Sequence, residues 1–329
     1  MRISQAINEF VEIVRKARSE NTAATYRTAL KKFSEVLAEH QIDPEQTETS
    51  DIPTESIAWL IEQMNDHEPT SERLYISALT RFFEYLNAED LAPINMSKVR
   101  LIIKQRARRP RKRLPQFPRR AIEKVIEYAE KEMRVEEGMD EKEALRVLRD
   151  RAFIITLADT GLRVHEACKL MRGELDLDEG QALIIGKGDK QAVVRFSSRA
   201  IRAIRDYLRA RRELDGKSGK PLASLPVFAR HDRGAGSKIK PIGTNTGREL
   251  VAQRVKEALG DDELARITPH TFRHRFVTEV ILKTNGNIKL GQELARHANI
   301  ATTTLYTHLS DDDLDRGYYE VFEKDLDDD

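Results

Sequence analysis

Along residues 3 to 18, ISQAINEFVEIVRKAR, apolar side chains recur at Ile7, Phe10, Val11 and Val14, the spacing that lays one apolar stripe along a helix. A second helix is expected after Ser19 or Asn21, with Tyr26, Leu30, Phe33 and Leu37 on its stripe. Asp51 to Asn65 and Ser71 to Leu86 supply two more, the last with Leu79, Phe82, Phe83 and Leu86 as its apolar positions. Four short amphipathic helices cover their stripes by packing on one another, so the first part of the chain is expected to be a small bundle.

From Arg119 the pattern changes. AIEKVIEYAEKEM and the stretch from Glu141 to Asp159 are expected as helices, the second running through the apolar FIITLA at 153 to 158. Thr160-Gly161 breaks the chain and Leu162 restarts it. ALII at 182 to 185 and QAVVRF at 191 to 196 are short β-rich runs separated by GKGDK, a hairpin signal. A helix at 198 to 213 turns Ile201, Ile204, Tyr207 and Leu208 inward and its arginines toward solvent. A Gly-, Lys- and Arg-rich loop then leads into a helix at 246 to 259. Thr268-Pro269 opens a further helix with Pro in its first turn, Phe272, Phe276 and Val280 facing the core, and Asn285-Gly286 ends it before LGQELARH forms another. The last stretch, SDDDLDRGYYEVFEKDLDDD, spaces Leu314, Tyr318, Val321 and Phe322 as an amphipathic helix with an acidic face. The fold expected is mainly α with a small β-sheet.

A length of 329 residues points to two domains. The formal charge of +1 conceals a segregation: residues 310 to 329 hold ten acidic and two basic residues, a local net charge of −8, which leaves +9 on residues 1 to 309. Between the bundle and the rest, residues 98 to 120 carry eleven Lys/Arg and no acid, with Pro110, Pro115 and Pro118 opposing a continuous helix. Such a run repels itself unless a polyanion neutralises it; an interdomain strap along a nucleic-acid backbone and a merely solvated linker are the two readings. In the strap reading Arg106, Arg108, Arg109, Arg111, Lys112 and Arg113 meet phosphates. Arg27 and Lys31, four apart on one face of the second helix, either join them or form a solvated face. The single cysteine, Cys168, allows no internal disulfide and no cysteine-cluster zinc site. No apolar run approaches the ~20 residues of a membrane span and no signal-peptide pattern opens the chain, so a cytoplasmic, nucleoid-associated protein is expected.

Candidate chemistry gathers on LARHANIATTTLYTH, where His297 precedes Tyr306 by nine residues. A phenol titrates near pH ~10, so a nucleophilic tyrosine needs nearby cations or a base. TGLRVHE places Arg163 at a helix start, HTFRHRF places His270 and Arg273 three apart, and IIGKGDK places Lys187 in the hairpin turn, 24 residues after Arg163. Two arginines, two histidines, a lysine and a tyrosine suit a reaction whose transition state spreads negative charge over phosphoryl oxygens. Glu166, one turn after Arg163, either orients a site residue or makes a plain i, i+3 ion pair.

These motifs, TGLRVHE, GKGDK, HTFRH and ARHANIATTTLYTH, in this order and with this last spacing, resemble those of the tyrosine recombinase (phage integrase) family, in an Xer-like form, over about residues 1 to 310. The resemblance implies a helical, SAM-like core-binding domain at 1 to 97 that clamps DNA, a basic linker at 98 to 118, an α+β catalytic domain at 119 to 309, and an acidic C-terminal helix or tail at 310 to 329. It implies a site-specific recombinase acting through a 3′-phosphotyrosyl intermediate and a Holliday junction. In that scheme Tyr306 attacks; Arg163, Arg273 and His297 hold the non-bridging oxygens; His270 assists proton transfer; Lys187 protonates the leaving 5′ oxygen; and Glu166 supports them. Neither metal nor ATP is implied, since the phosphotyrosyl bond conserves the energy of the broken diester. The implied partners are double-stranded DNA with inverted-repeat half-sites and a homotetramer on two sites, with no membrane. Two departures stand out: Arg296 where a glycine commonly precedes the histidine, and Val277 where an alanine is common. Rival readings are a type IB topoisomerase-like strand transferase and a non-catalytic DNA-binding or architectural protein.

Overall fold

The structure, a computed structural model, describes residues 1–108, 118–185, 191–232, 234, 238–260 and 267–296. The expectations for the GKGDK turn, for Arg109, Arg111, Lys112 and Arg113, and for everything from His297 onward lie outside the described residues. The chain divides into two compact units, Met1–Arg113 and Leu114–Asp329.

In the first unit the apolar stripes become α1 (Ile3–Ala17), α2 (Glu20–Glu39), α3 (Ser56–Gln63), α4 (Pro69–Ala88) and α5 (Met96–Arg106). Ser19 caps α2 by accepting the Thr22 N–H at 3.2 Å, and Asn95 caps α5 by accepting the Lys98 N–H at 3.0 Å. Phe10, Phe33, Phe82 and Phe83 all lie in the core, with Phe10 against Phe82 at 5.6 Å and Phe33 edge-on to Phe83 at 5.9 Å between ring centres. Three expectations are corrected. The bundle has five helices among the described residues, not four. The helix expected over 51–65 begins only at Ser56, because Thr49–Asp51 forms one separate short turn and Pro53 stands between. The linker boundary at 97/98 falls inside α5, whose Val99 and Ile102 are buried in the bundle core.

The basic run therefore begins as part of the bundle. Arg106 pairs with Glu62 at 2.6 Å. Arg108 turns back further: its Nε and its backbone N–H donate to the fully buried Glu72 at 2.6 and 2.9 Å, and Nη2 donates to the carbonyls of Met64 and His67. A buried carboxylate needs such a partner, and here the partner comes from a residue expected on DNA.

The second unit is organised on α7 (Glu141–Thr160), preceded by α6 (Arg119–Lys131). Ala152 to Ala158 on α7 are all buried, so this helix is covered on every side; a run that is apolar apart from Thr156 is what that position requires. Around it lie α8 (Val164–Lys169), α9 (Ser198–Ala210), α10 (Arg212–Lys217), α11 (Thr244–Leu259), α12 (Pro269–Lys283) and α13 (Ile288–Ala295). The sheet is antiparallel in the order β1 (Leu175–Asp176), β2 (Gln181–Ile185), β3 (Gln191–Arg195). Gln181 faces Arg195 and Ile185 faces Gln191, the register of two strands joined through residues 186–190; β1 is an addition to the expected pair. Ala182, Ile184 and Val194 face the core, whereas Leu183, Ile185 and Val193 are exposed, the alternation of a one-sided sheet.

Two helices differ from expectation in a way that matters. The helix expected over 198–213 stops at Ala210, and its arginines are not all solvated: Arg211 is fully buried, with Nε on Asp215 at 2.8 Å, Nη1 on the Tyr207 hydroxyl and the Val227 carbonyl, and Nη2 on the Pro226 carbonyl. Arg172 holds the other oxygen of Asp215 at 2.6 Å. Along α12 the buried positions are Phe272, Arg273, Val277 and Ile281, while Phe276 is only partly buried and Val280 is not in the core. The i, i+4 ridge that packs is the one through Arg273, and a charged residue at its head conceals it from the apolar pattern.

Candidate active site

The α7 helix ends where Gly161 takes a left-handed conformation, φ 61° and ψ 19°. A Cβ there would lie 2.4 Å from Cδ1 of Phe276, so the turn needs glycine twice over, for its backbone and for the ring against it. Thr160 stitches the turn, its hydroxyl donating to the Thr156 carbonyl at 2.7 Å and accepting the Leu162 N–H at 3.2 Å. Arg163 follows as the residue just before α8. Glu166, in the first turn of α8, reaches back to it: Oε2 accepts the Arg163 backbone N–H at 2.9 Å and Oε1 accepts Nη1 at 2.7 Å. The i, i+3 pair is present and directional, for the carboxylate fixes both the backbone and the guanidinium of Arg163.

The second contribution comes from α12. Thr268 and Pro269 begin it, with the Thr268 N–H donating to the Thr271 hydroxyl at 3.0 Å. Arg273, one turn in, is 2% exposed. Its Nη1 donates to the Gly161 carbonyl at 2.5 Å and its Nη2 to the Ala295 carbonyl. Those carbonyls sit two residues before Arg163 and two before His297, so one guanidinium ties together both segments that carry candidate residues. Charge-assisted bonds to carbonyls strengthen as water is excluded, and nearly all water is excluded here.

His270 lies close enough to both arginines to feel them. Burial holds its imidazole below the ordinary range, and Arg273 and then Arg163 push it further the same way, so the ring is neutral at neutral pH. His274 packs edge-on to it at 4.5 Å between ring centres and is pushed down to about 4 by burial, His270 and Arg273. Burial alone would raise the Glu166 carboxyl; the Arg163 N–H, then the charges of Arg296 and Arg163, keep it below its ordinary value.

Of the candidate catalytic residues, Arg163, His270 and Arg273 are described and converge, with Glu166, from stretches more than a hundred residues apart. Lys187, His297 and Tyr306 lie outside the described residues. Arg27 and Lys31 are exposed on α2. Sequence reasoning misses the involvement of Arg296, which stands there only as a departure from the family's pattern: its Nη2 donates to Glu166 Oε2 at 3.0 Å. The signal available is the mismatch itself, a long cation where the backbone turns left-handed, φ 58° and ψ 45°. Among the described residues no group of three or more His, Cys, Asp or Glu side chains is arranged to hold a metal ion, and no helix is long and apolar enough to cross a membrane.

A polypeptide that holds Arg163 against a buried carboxylate, with Arg273 and a histidine close by, can grip an oxyanion and move a proton beside it. The phage integrase family model matches residues 131–313, and the model of the phage integrase N-terminal SAM-like domain matches residues 7–90. The chain belongs to the phage integrase family, as a tyrosine recombinase of the Xer type. It is 29% identical over 297 residues to the tyrosine recombinase XerC of Thermodesulfovibrio yellowstonii, covering 90% of this chain and 88% of that one. It is 27% identical over 321 residues to the tyrosine recombinase XerD of Brucella melitensis biotype 1, covering 95% and 96%. Among solved structures it is similar to the XerH site-specific recombinase bound to palindromic difH substrate in a post-cleavage complex, with TM-score 0.67, 21% identity, and coverage of 95% of this chain and 83% of that one; at that identity the likeness is one of fold. The expected fold class, mainly helical with a small sheet and a SAM-like domain before the catalytic one, is the fold found.

Proposed function

We propose that this site-specific DNA recombinase cleaves and rejoins duplex DNA with Tyr306 as nucleophile, forming a 3′-phosphotyrosyl link and a free 5′ hydroxyl. Arg163, Arg273 and His297 hold the non-bridging oxygens of the scissile phosphate. His270 takes the proton of the phenol; its depressed pKa supports the role, since only a neutral imidazole accepts a proton. Lys187 gives a proton to the leaving oxygen, and Glu166 orients Arg163. The observation that carries the reading is the convergence of Arg163, Glu166, His270 and Arg273 on one buried cluster within a chain of this family.

The surrounding parts follow from charge. The N-terminal bundle, through α5, clamps DNA, and Arg27 and Lys31, exposed and four apart, are candidates to meet its phosphates. The part of the basic run beyond the bundle, residues 109 to 118, runs along the DNA backbone, with the phosphate contacts falling to Arg109, Arg111, Lys112 and Arg113, since Arg106 and Arg108 are paired within the bundle. The partner is double-stranded DNA with inverted-repeat half-sites, acted on by a homotetramer that joins two sites through a Holliday junction. The acidic stretch at 310 to 329 docks on a neighbouring protomer. A cytoplasmic, nucleoid-associated location suits such a substrate.

Covalent capture tests the reading. The unmodified protein and a Tyr306→Phe variant are incubated with a pool of nicked duplexes, and protein-linked strands are recovered under denaturing conditions and sequenced. The expected outcome is an adduct through a 3′ phosphate with the unmodified protein and none with the variant, while both retain DNA binding. An equal yield of adduct from the variant removes Tyr306 as nucleophile, and binding without any adduct on genomic DNA supports an architectural role instead.

A further inference from the structure

Arg296 closes α13 in a left-handed conformation that glycine adopts without strain and arginine does not. Its side chain is 14% exposed and turns inward, toward Glu166 at 3.0 Å. The remaining donors of the same guanidinium, Nε and Nη1, are buried and meet no hydrogen-bond acceptor among the described residues. Burial pulls the Arg296 pKa below its ordinary value, with Glu166 opposing that pull. The left-handed backbone disfavours arginine here relative to glycine, and among the described residues the desolvated donors without an acceptor act in the same direction.

What the arrangement produces is a change in the charge and geometry around Arg163. Glu166 is 2% exposed at its side chain and is the one carboxylate shared by Arg163 and Arg296. An Arg163–Glu166 pair alone is neutral; the Arg163–Glu166–Arg296 cluster carries a net positive charge. The bonds divide in a specific way. Oε2 takes the Arg163 N–H and Arg296 Nη2, which leaves Oε1 to Arg163 Nη1. With both oxygens assigned, the carboxylate cannot rotate, and the guanidinium of Arg163, 38% exposed at its side chain, is steered by a fixed partner.

We propose that Arg296 is a positioning residue of the recombination site: by sharing Glu166 it locks the carboxylate that steers Arg163, and it restores the positive charge that an Arg163–Glu166 pair would cancel. This rests on the reading of Arg163 as a phosphate ligand. It assigns to Arg296 a cost in the free protein and a gain in the reaction, a combination that a residue retained for packing does not show.

The test compares the unmodified full chain, Tyr306→Phe, Arg296→Gly and Arg296→Lys on nicked duplexes carrying the sites captured above. Adduct formation at saturating DNA, the DNA concentration for half-saturation, and the melting temperature are measured for each. Arg296→Gly is expected to form adduct roughly ten- to a hundred-fold more slowly at saturation, the effect of a misdirected group at a reacting centre. Its melting temperature is expected to be equal to or above that of the unmodified protein. Arg296→Lys, which keeps the charge without the planar fork, is expected to recover to within roughly threefold of the unmodified rate. Adduct formation by Arg296→Gly at the unmodified rate overturns the proposal, and so does a slower rate accompanied by a lower melting temperature with no recovery in Arg296→Lys. If the unmodified protein gives no Tyr306-dependent adduct on any captured or genomic site, the reading of the site fails and takes this inference with it; once that adduct is seen, the outcome bears on Arg296 alone.

Discussion

Two clusters of buried arginine share the C-terminal unit, and they differ in how completely their N–H groups are used. Around Arg211 the guanidinium meets Asp215, the Tyr207 hydroxyl and the carbonyls of Pro226 and Val227, so each of its three nitrogens has an acceptor within 3.0 Å. Around Glu166, by contrast, Arg296 has one nitrogen engaged and two buried ones without an acceptor among the described residues, and Arg163 keeps more than a third of its side chain exposed. Both clusters set two arginines on one buried carboxylate, Asp215 in the first and Glu166 in the second. A closed network returns in hydrogen bonds what desolvation costs and so serves the fold. An open network, among the described residues, leaves positive charge beside the partly exposed Arg163, at a site where a polyanion is the proposed partner.

The largest effect is expected at the closed cluster. Arg211→Met leaves Asp215 buried with Arg172 as its other arginine partner, and breaking such a pair is expected to cost about 3–5 kcal/mol of stability. Urea denaturation measures this, with adduct formation by the remaining folded protein unchanged. If Arg211→Met is as stable as the unmodified chain, the closed network contributes nothing and the distinction fails. At the open cluster, Arg163→Ala is expected to destabilise the chain less than Arg211→Met does, since Arg163 is itself partly exposed and Arg296 still pairs with the buried Glu166. Cleavage in the same variant should fall about 10²–10³-fold, as when one oxyanion donor is removed. A single-turnover adduct assay alongside a melting curve separates the two effects.

A further expected effect is one of pH. Burial, with Arg149 and Arg211 nearby, pushes His231 down to about 3, and His274 is pushed down to about 4. Both are neutral in the folded chain, whereas an unfolded histidine titrates near ~6.5. Their contribution is therefore present in full above pH ~6.5 and is lost as pH falls toward their folded values, at up to about 1.4 kcal/mol per pH unit for each group. His231 reports on the closed cluster, through its 2.7 Å contact with the Tyr207 hydroxyl, and His274 on the neighbourhood of the open one. Denaturation curves between pH 7 and pH 5 should show the decline, and His274→Gln should flatten it in part. A flat profile in the unmodified protein contradicts burial of these rings as neutral species.

The helices are largely legible in the amino-acid sequence, because each needs only a local rule. The stripes of α1, α2 and α4, the apolar run of α7 and the Thr268-Pro269 start of α12 are found where periodicity and capping put them. The site is legible in part: Arg163, His270 and Arg273 stand in motifs, and they do converge. What misleads is the expectation that charged residues lie at the surface. Arg108, expected on a DNA strap, neutralises Glu72; Arg211, expected on a solvated face, is buried; Arg296, noted only as a departure from the family's pattern, reaches Glu166.

The order of apolar and polar positions thus determined the kind of protein this is: a helical bundle, a helix-rich second unit with one small hairpin sheet, and the motifs of a tyrosine recombinase in their order. Which cations lie inside, and which keep part of their side chain exposed, was settled only by tertiary contacts. The partners of Arg273 lie 112 and 22 residues away, and that of Arg296 lies 130 residues away. A long side chain can bury its charge only against a group that folding brings to it, and no local pattern encodes where that group will be.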